Sequence, residues 1–119
     1  MAEHNELGKK GEKIAIEYLL KNDYKILETN YRYLKAEVDI IAQKESVLAV
    51  VEVKTRSTDY FGNPQDFVNP KKIKLLLSAI DYYVVDKDLD VEVRFDIIAI
   101  IHQNKETKIE HLEDAFLHF

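Results

Sequence analysis

Cysteine is absent from the 119-residue sequence. Disulfides, thiolate nucleophiles and cysteine-based zinc sites are therefore excluded. No apolar run exceeds the length of a strand, so we expect no membrane-spanning segment. Residues 1–6 are polar and lack the apolar core of a secretory signal. These absences lead us to expect a cytoplasmic protein with no membrane partner.

Glycine and proline are also scarce, with three and two residues respectively. They cluster at positions 8–11 and 62–70, which predicts the start of a helix and one loop. No repeat, linker or low-complexity segment interrupts the chain. Its length fits one domain over residues 1–119 with a single core.

The net charge of −5 is evidence against a protein that coats nucleic acid without specificity, because such proteins are usually basic. It does not exclude an enzyme that gathers its basic residues near one site. An acidic metal site itself adds negative charge until the ion binds.

Hydrophobic periodicity predicts an α/β fold with the order α-β-β-β-α-β and a short final strand. The segment Lys44-Glu45-Ser46 suits a hairpin turn, so the first three strands should form an antiparallel meander. A central mixed β-sheet flanked by helices follows from this order. The predicted helices are 6–22 and 70–85, and the predicted strands are 25–33, 36–43, 47–55, 91–101 and 107–112.

Each predicted helix has an apolar stripe. Glu12 lies in the middle of the stripe of the first helix, although burial of an unpaired charge is unfavourable. The apolar positions are Gly8, Ala15, Ile16, Leu19 and Leu20 on the first helix, and Ile73, Leu76, Leu77, Ile80 and Val84 on the second.

Charged residues on two adjacent predicted strands form the candidate site. Alternation along a strand places Asp39 on the face opposite to Val38 and Ile40. Glu37 shares the face of Asp39 and is either a secondary ligand or a solvated strand residue. Glu52 and Lys54 share one face of the next strand, so they and Asp39 lie on faces that can meet.

The charged residues on these two strands suit the hydrolysis of a phosphodiester bond. Carboxylates such as Asp39 and Glu52 can hold Mg²⁺ or Mn²⁺, which prefer oxygen ligands. The metal polarises the phosphate and lowers the pKa of a bound water. Lys54 can orient that water or neutralise charge in the transition state.

Structural roles are open for the same residues. Glu12 can be a tolerated helix charge, Asp39 can end a hydrogen-bond network, and Glu52 with Lys54 can form an ion pair of little energetic value. Arg56 and Lys72 either contact phosphates or belong to a solvated surface.

We expect structural roles or surface positions for the remaining polar and aromatic residues. Arg94 and Asp96 share a face and are expected to pair. Tyr60 and Phe61 are expected to anchor the loop rather than stack on bases. The histidines show no ligand spacing and are expected at the surface; they are His4, His102, His111 and His118.

The sequence Asp39 … Glu52-Val53-Lys54 resembles the PD-(D/E)xK nuclease superfamily. Along nearly the whole chain it is similar, more closely, to the YraN-like family of bacterial endonuclease-like proteins. Ala36 stands where that family has glycine, and the superfamily's proline before its aspartate is missing. The motifs that carry the resemblance are Gly11-Glu12, Ala15, Tyr18-Leu19, Asn30-Tyr31-Arg32, Glu37-Val38-Asp39-Ile40-Ile41, Val51-Glu52-Val53-Lys54-Thr55-Arg56, Phe61-Gly62-Asn63-Pro64, Lys72 and Arg94-Phe95-Asp96.

The resemblance implies a restriction-endonuclease-like fold and a metal-dependent nuclease. Archaeal Holliday-junction resolvases are similar in layout and carry an acidic residue on the first helix, which Glu12 matches. Branched or structured DNA and a homodimer are thereby implied. The implied catalytic residues are Asp39, Glu52, Lys54 and Glu12, the metal ligands are Asp39, Glu52 and Glu12, and the nucleic-acid contacts are Arg56 and Lys72.

Two rival functions fit the same fold. One is a non-catalytic nucleic-acid-binding protein, for which metal would not matter. The other is a protein-interaction module whose charged strand face is purely structural, which the acidic net charge favours slightly. Intact Asp39, Glu52 and Lys54 favour the nuclease.

Overall fold

The computed structural model describes residues 2–56 and 69–115. The predicted order of elements is confirmed, with the short final strand present. The elements are α1 (Ala2–Lys21), β1 (Lys25–Tyr33), β2 (Ala36–Lys44), β3 (Val47–Arg56), α2 (Pro70–Asp86), β4 (Glu92–Gln103) and β5 (Glu106–Leu112). No helix in these ranges is long and apolar enough to cross a membrane.

The start of the first helix was predicted wrongly. α1 begins at Ala2 rather than residue 6, and Gly8 and Gly11 lie inside it. Gly11 serves packing instead, because a Cβ at this position would lie 2.0 Å from Thr55 Oγ1 on β3. A glycine inside a helix lowers its stability by about 1 kcal/mol relative to alanine, so tertiary contact outweighs local propensity here.

The five strands form one mixed sheet in the order β1-β2-β3-β4-β5. β2 is antiparallel to both β1 and β3, as predicted for a meander. β4 is parallel to β3 and antiparallel to β5. Parallel neighbours need a crossover, and among the described residues α2 lies in this connection between β3 and β4.

One helix covers each face of the sheet. α1 buries Ala15 and Leu19 in the cluster on one face, whereas α2 packs into the cluster on the other. The residues that α2 buries are Leu76, Ala79, Ile80 and Tyr83.

Two predicted stripe residues are exposed instead. Leu20 is 54% exposed and Leu77 is 46% exposed. Each is one residue, or about 100°, beyond a fully buried leucine, and the buried stripe of a helix repeats at three- and four-residue steps. On α2 this spacing brings Tyr83 into the core.

Strand β2 breaks the predicted alternation at the candidate site. Val38 packs in the cluster beneath α2, whereas Ile40 packs in the cluster beneath α1, so the prediction that they share a face is wrong. Registered pairing of β2 with β3 runs from Lys44 with Val47 to Ile40 with Val51. The change of face therefore falls at Asp39, next to the end of the registered pairs.

Candidate functional site

Asp39 takes the place of a backbone partner where the pairing of β2 with β3 ends. Its Oδ2 accepts a hydrogen bond from the Val53 amide at 2.8 Å. Burial raises the pKa of Asp39 to about 7, and the charge of Glu52 adds to the rise while the Val53 bond opposes it. The carboxyl group is thus held in a place where its negative charge is unfavourable.

Glu52 is a buried carboxylate on the adjacent strand, only 6% exposed. Its Oε1 accepts a hydrogen bond from Lys72 Nζ at 2.5 Å and lies 3.7 Å from Lys54 Nζ. Two lysines thus compensate a charge that the core would otherwise exclude.

The first turn of α2 places Lys72. Pro70 occupies the start of the helix, and the Asn69 side chain accepts a hydrogen bond from the Lys72 amide at 2.8 Å. This is an N-cap, which satisfies one of the free amides of the first turn. The cap fixes the backbone of Lys72 opposite Glu52.

Glu12 approaches the same region from α1. Its Oε1 is buried and has no hydrogen-bond partner among the described residues. Burial raises the pKa of Glu12, and the charges of Glu37 and Glu52 raise it further. The close contact of Gly11 with Thr55 holds this part of α1 against β3.

Two clefts meet at Asp39. The larger, of about 470 Å³, lies between α2 and the start of β2, and the smaller, of about 300 Å³, lies between α1 and the end of β3. The larger is lined by Lys35, Ala36, Glu37, Asp39, Glu52, Asn69, Lys71, Lys72, Leu75 and Leu76. The smaller is lined by Gly8, Glu12, Asp39, Val53, Lys54, Thr55 and Arg56. Asp39 therefore faces both.

The structure brings Asp39, Glu52, Lys54 and Glu12 into one region without assembling a complete metal site from residues 2–56 and 69–115. No group of three or more His, Asp or Glu side chains in those ranges is arranged to hold a metal ion. The available donors are nevertheless carboxylate oxygens, which suit a hard divalent cation. The unpartnered Glu12 oxygen fits a ligand position, so the residues present are compatible with such an ion.

The basic residues predicted to bind nucleic acid lie at these clefts. Lys72 lines the larger cleft while bound to Glu52, and Arg56 lines the smaller. Glu37 pairs with Arg32 at 3.5 Å and lines the larger cleft. Tyr60 and the motif Phe61-Gly62-Asn63-Pro64 lie outside the described residues.

A second polar cluster was only partly predicted. Arg94 and Asp96 pair as expected, with Arg94 Nη2 2.8 Å from Asp96 Oδ2. His111, however, is half-buried rather than at the surface, and its side chain is only 8% exposed. Its Nε2 lies 2.8 Å from Asp96 Oδ2 and its Nδ1 3.1 Å from the Tyr18 hydroxyl.

Local spacing carries no signal for the place of His111 in this cluster. The histidine lies opposite Ile98, and only the register of β5 against β4 reveals that pairing. Burial raises the pKa of Asp96, but hydrogen bonds from His111, Arg94 and the Asp114 amide outweigh it and hold the pKa below its ordinary value. The cluster links α1, β4 and the end of β5.

Comparison with known proteins identifies one family along most of the chain. The model of the family described as Uncharacterised protein family UPF0102 matches residues 11–100, which include Glu12, Asp39, Glu52 and Lys54. The chain is 65% identical to a UPF0102 protein of Christiangramia forsetii, and the match covers 100% of both chains. It is 47% identical to a UPF0102 protein of Parabacteroides distasonis, with 98% of this chain and 96% of the relative covered. The chain therefore belongs to the UPF0102 family, the YraN-like family that its motifs predict.

Proposed function

We propose that the protein is a metal-dependent nuclease of the PD-(D/E)xK superfamily, with a restriction-endonuclease-like fold. Its substrate class would be branched or structured DNA, by analogy with the resolvases that the sequence resembles. A cytoplasmic homodimer belongs to the same proposal.

One observation carries the proposal. Half-buried Asp39 and buried Glu52 lie close enough for the charge of Glu52 to raise the pKa of Asp39, and a buried oxygen of Glu12 lies unpartnered at the smaller cleft, which Asp39 also lines. Like charges gathered in a cleft destabilise the folded chain unless a cation shares them, and such perturbed groups are concentrated at functional sites.

The residues of the site would have different roles in hydrolysis. Asp39, Glu52 and Glu12 would hold Mg²⁺ or Mn²⁺, which supplies Lewis acidity toward a phosphodiester when bound. Lys54 would orient the attacking water and neutralise charge on the phosphate. The water oxygen bonds to phosphorus, the bond to one ester oxygen breaks, and that oxygen takes up a proton.

Lys72 and Arg56 would bind the substrate backbone. Both line the clefts that meet at Asp39, and lysine and arginine contacts to phosphates fix the position of DNA without reading its sequence. Lys72 would exchange its bond with Glu52 for a bond with a backbone phosphate.

A cleavage assay tests this proposal. The wild-type protein is incubated with Mg²⁺ or Mn²⁺ and with single-stranded, duplex or four-way-junction DNA. We expect metal-dependent cutting that falls by at least about 100-fold in Asp39→Asn and Lys54→Ala, as losses of charge-stabilising groups do. Asp81→Asn is the matched control, because Asp81 is exposed on α2. Cutting that is equal in Asp39→Asn and wild type would refute the site.

The ion pairs of Glu52 favour a second candidate, a nucleic-acid-binding protein without catalysis. Lys72 and Lys54 both pair with Glu52 and compensate its charge. This function predicts DNA binding that is unchanged by EDTA and weakened by Lys54→Ala to the same degree on every DNA. The same protein preparations distinguish the two candidates.

A further inference from the structure

The β1–β2 hairpin ends in an exposed leucine. Tyr33 and Ala36 form the last registered pair, so Leu34 and Lys35 are the two residues of the turn. Leu34 is 85% exposed, the highest value among the large hydrophobic side chains that the structure describes. Its φ is 55°.

Local folding does not explain a leucine at this position. A two-residue hairpin turn with positive φ favours glycine, asparagine or aspartate, because Cβ is crowded in the left-handed region. Among the described non-glycine residues with positive φ, Leu34 is the apolar one, and five are aspartate or asparagine: Asp23, Asn30, Asp88, Asn104 and Asp114. Leu34 is neither conformationally favoured nor buried, which points to a contact outside the chain.

The turn is braced and lies at the rim of the candidate site. The Tyr33 ring stacks on Tyr82 of α2, with 4.5 Å between centroids and 21° between planes. Arg32 and Glu37 pair across the two strands at 3.5 Å. Lys35, the residue after Leu34, lines the larger cleft together with Asp39 and Glu52.

The surroundings of the turn indicate the chemistry of the contact. The Arg32 side chain is 77% exposed, and Lys35 and Lys71 line the adjoining cleft. An apolar side chain flanked by cations complements nucleic acid, in which phosphates surround stacked apolar bases. Proteins insert apolar side chains as wedges between base steps and partly unstack the bases, at a cost of a few kcal/mol per step.

We propose that Leu34 is a wedge that inserts between unstacked bases at the branch point of DNA bound over the larger cleft, an inference that rests on the proposed function. The phosphates on either side contact Arg32 and Lys35. The branch point then lies beside Asp39 and Glu52, so the wedge sets a preference for branched over continuous duplex DNA.

Fluorescence of 2-aminopurine tests the wedge without requiring cleavage. The probe is a four-way junction with 2-aminopurine at the branch point, and a continuous duplex with the same base serves as the reference. Full-length protein is titrated in EDTA, so that no strand is cut. The variants are Leu34→Asn, which suits positive φ, Leu34→Phe, which keeps an apolar tip, and Leu20→Asn, a matched change at an exposed leucine on α1.

Wild type, Leu34→Phe and Leu20→Asn should raise the fluorescence of the junction on binding. Leu34→Asn should remove that rise and lower the affinity ratio of junction to duplex on the order of tenfold, the scale of burying one leucine side chain. The melting temperature of Leu34→Asn should not fall below that of wild type, which would show that the variant is folded.

An unchanged rise and affinity ratio in Leu34→Asn would overturn the wedge. A change in sedimentation of Leu34→Asn with the fluorescence rise intact would also overturn it, and would identify the turn as a contact between two copies. These outcomes are separate from the proposed function: metal-dependent cutting of DNA that Asp39→Asn abolishes would stand in either case, whereas loss of cutting would leave the fluorescence result interpretable.

Discussion

At the scale of single residues, Asp39 links the stability of the fold to its proposed chemistry. Because its pKa is raised from 3.8 to about 7, the folded chain keeps a proton between these values that the unfolded chain has lost. The unfolded state binds fewer protons there, so the free energy of unfolding falls as pH rises through this window. A divalent cation that binds the ionised form of Asp39 would restore the lost free energy of unfolding.

Asp39→Asn should remove this pH dependence. Asparagine can still accept the Val53 hydrogen bond, but it carries no charge. At pH 8 in EDTA we expect the variant to be more stable than wild type by up to about 4 kcal/mol, since each pKa unit corresponds to about 1.4 kcal/mol. The difference should vanish near pH 4. Urea denaturation across this range measures it, and a variant less stable than wild type at pH 8 would contradict this account of Asp39.

Asp96 has the opposite pKa shift and a structural role. It is fully buried and bonded to Arg94, His111 and the Asp114 amide. Removal of one partner from a buried charge network leaves the others uncompensated, which typically costs about 3–5 kcal/mol. The cluster lies away from both clefts at Asp39, so its loss should act on stability.

Asp96→Asn should lower the free energy of unfolding by about 3 kcal/mol at neutral pH. Because the pKa of Asp96 is lowered, its stabilisation is present above the ordinary aspartate pKa of 3.8 and is lost as pH falls through the lowered value. The difference from wild type should therefore shrink in acid. Asp90→Asn, at an exposed position, should show no such effect. Equal stability of both variants would argue against a structural network.

At the scale of elements, the contact between α1 and β3 positions Glu12. Gly11 allows α1 to approach β3, because a Cβ there would lie 2.0 Å from Thr55 Oγ1. At Gly8, one turn earlier in the same helix, an added Cβ would meet nothing within 4 Å. The two glycines thus separate the effect of helix propensity from that of packing.

Gly8→Ala should stabilise the protein by about 0.5–1 kcal/mol through helix propensity. Gly11→Ala should destabilise it by about 1–3 kcal/mol through overpacking and should reduce metal-dependent cleavage by displacing Glu12. Thr55→Ala in the Gly11→Ala background should recover part of the stability. Denaturant titration and the cleavage assay check both effects, and equal stabilisation by the two alanine variants would show that the contact is not tight.

The elements themselves could be predicted from the sequence because their periodicity is strong. The hairpin at Lys44-Glu45-Ser46 and the stripe of Leu76 and Ile80 gave the meander and the second helix. The change of face at Asp39 could not be predicted, because strand alternation assumes regular pairing and the Val53 bond to Asp39 arises only where the pairing ends. The contact between β2 and β3 therefore determines the change of face at Asp39.

At the scale of the whole molecule, contacts between distant segments determine features of the site that could not be predicted from local sequence. Asp39, Glu52 and Lys54 were predicted to meet because they lie on adjacent strands. The bond of Lys72 to Glu52 depends on how α2 crosses the sheet, and the contact of His111 with Asp96 depends on the register of β5. Neither contact has a signature in local spacing.

The proposed chemistry depends on the binding of a divalent cation by Asp39, Glu52 and Glu12. Calorimetric titration of the wild-type protein with Mn²⁺ at pH 8, beside Asp39→Asn and Asp81→Asn, measures it most directly. Wild type and Asp81→Asn should bind Mn²⁺ saturably, and the affinity of Asp39→Asn should be lower by at least about tenfold, as loss of a metal-site residue typically produces. Equal affinity in all three proteins, or no binding by wild type, would contradict the proposed chemistry.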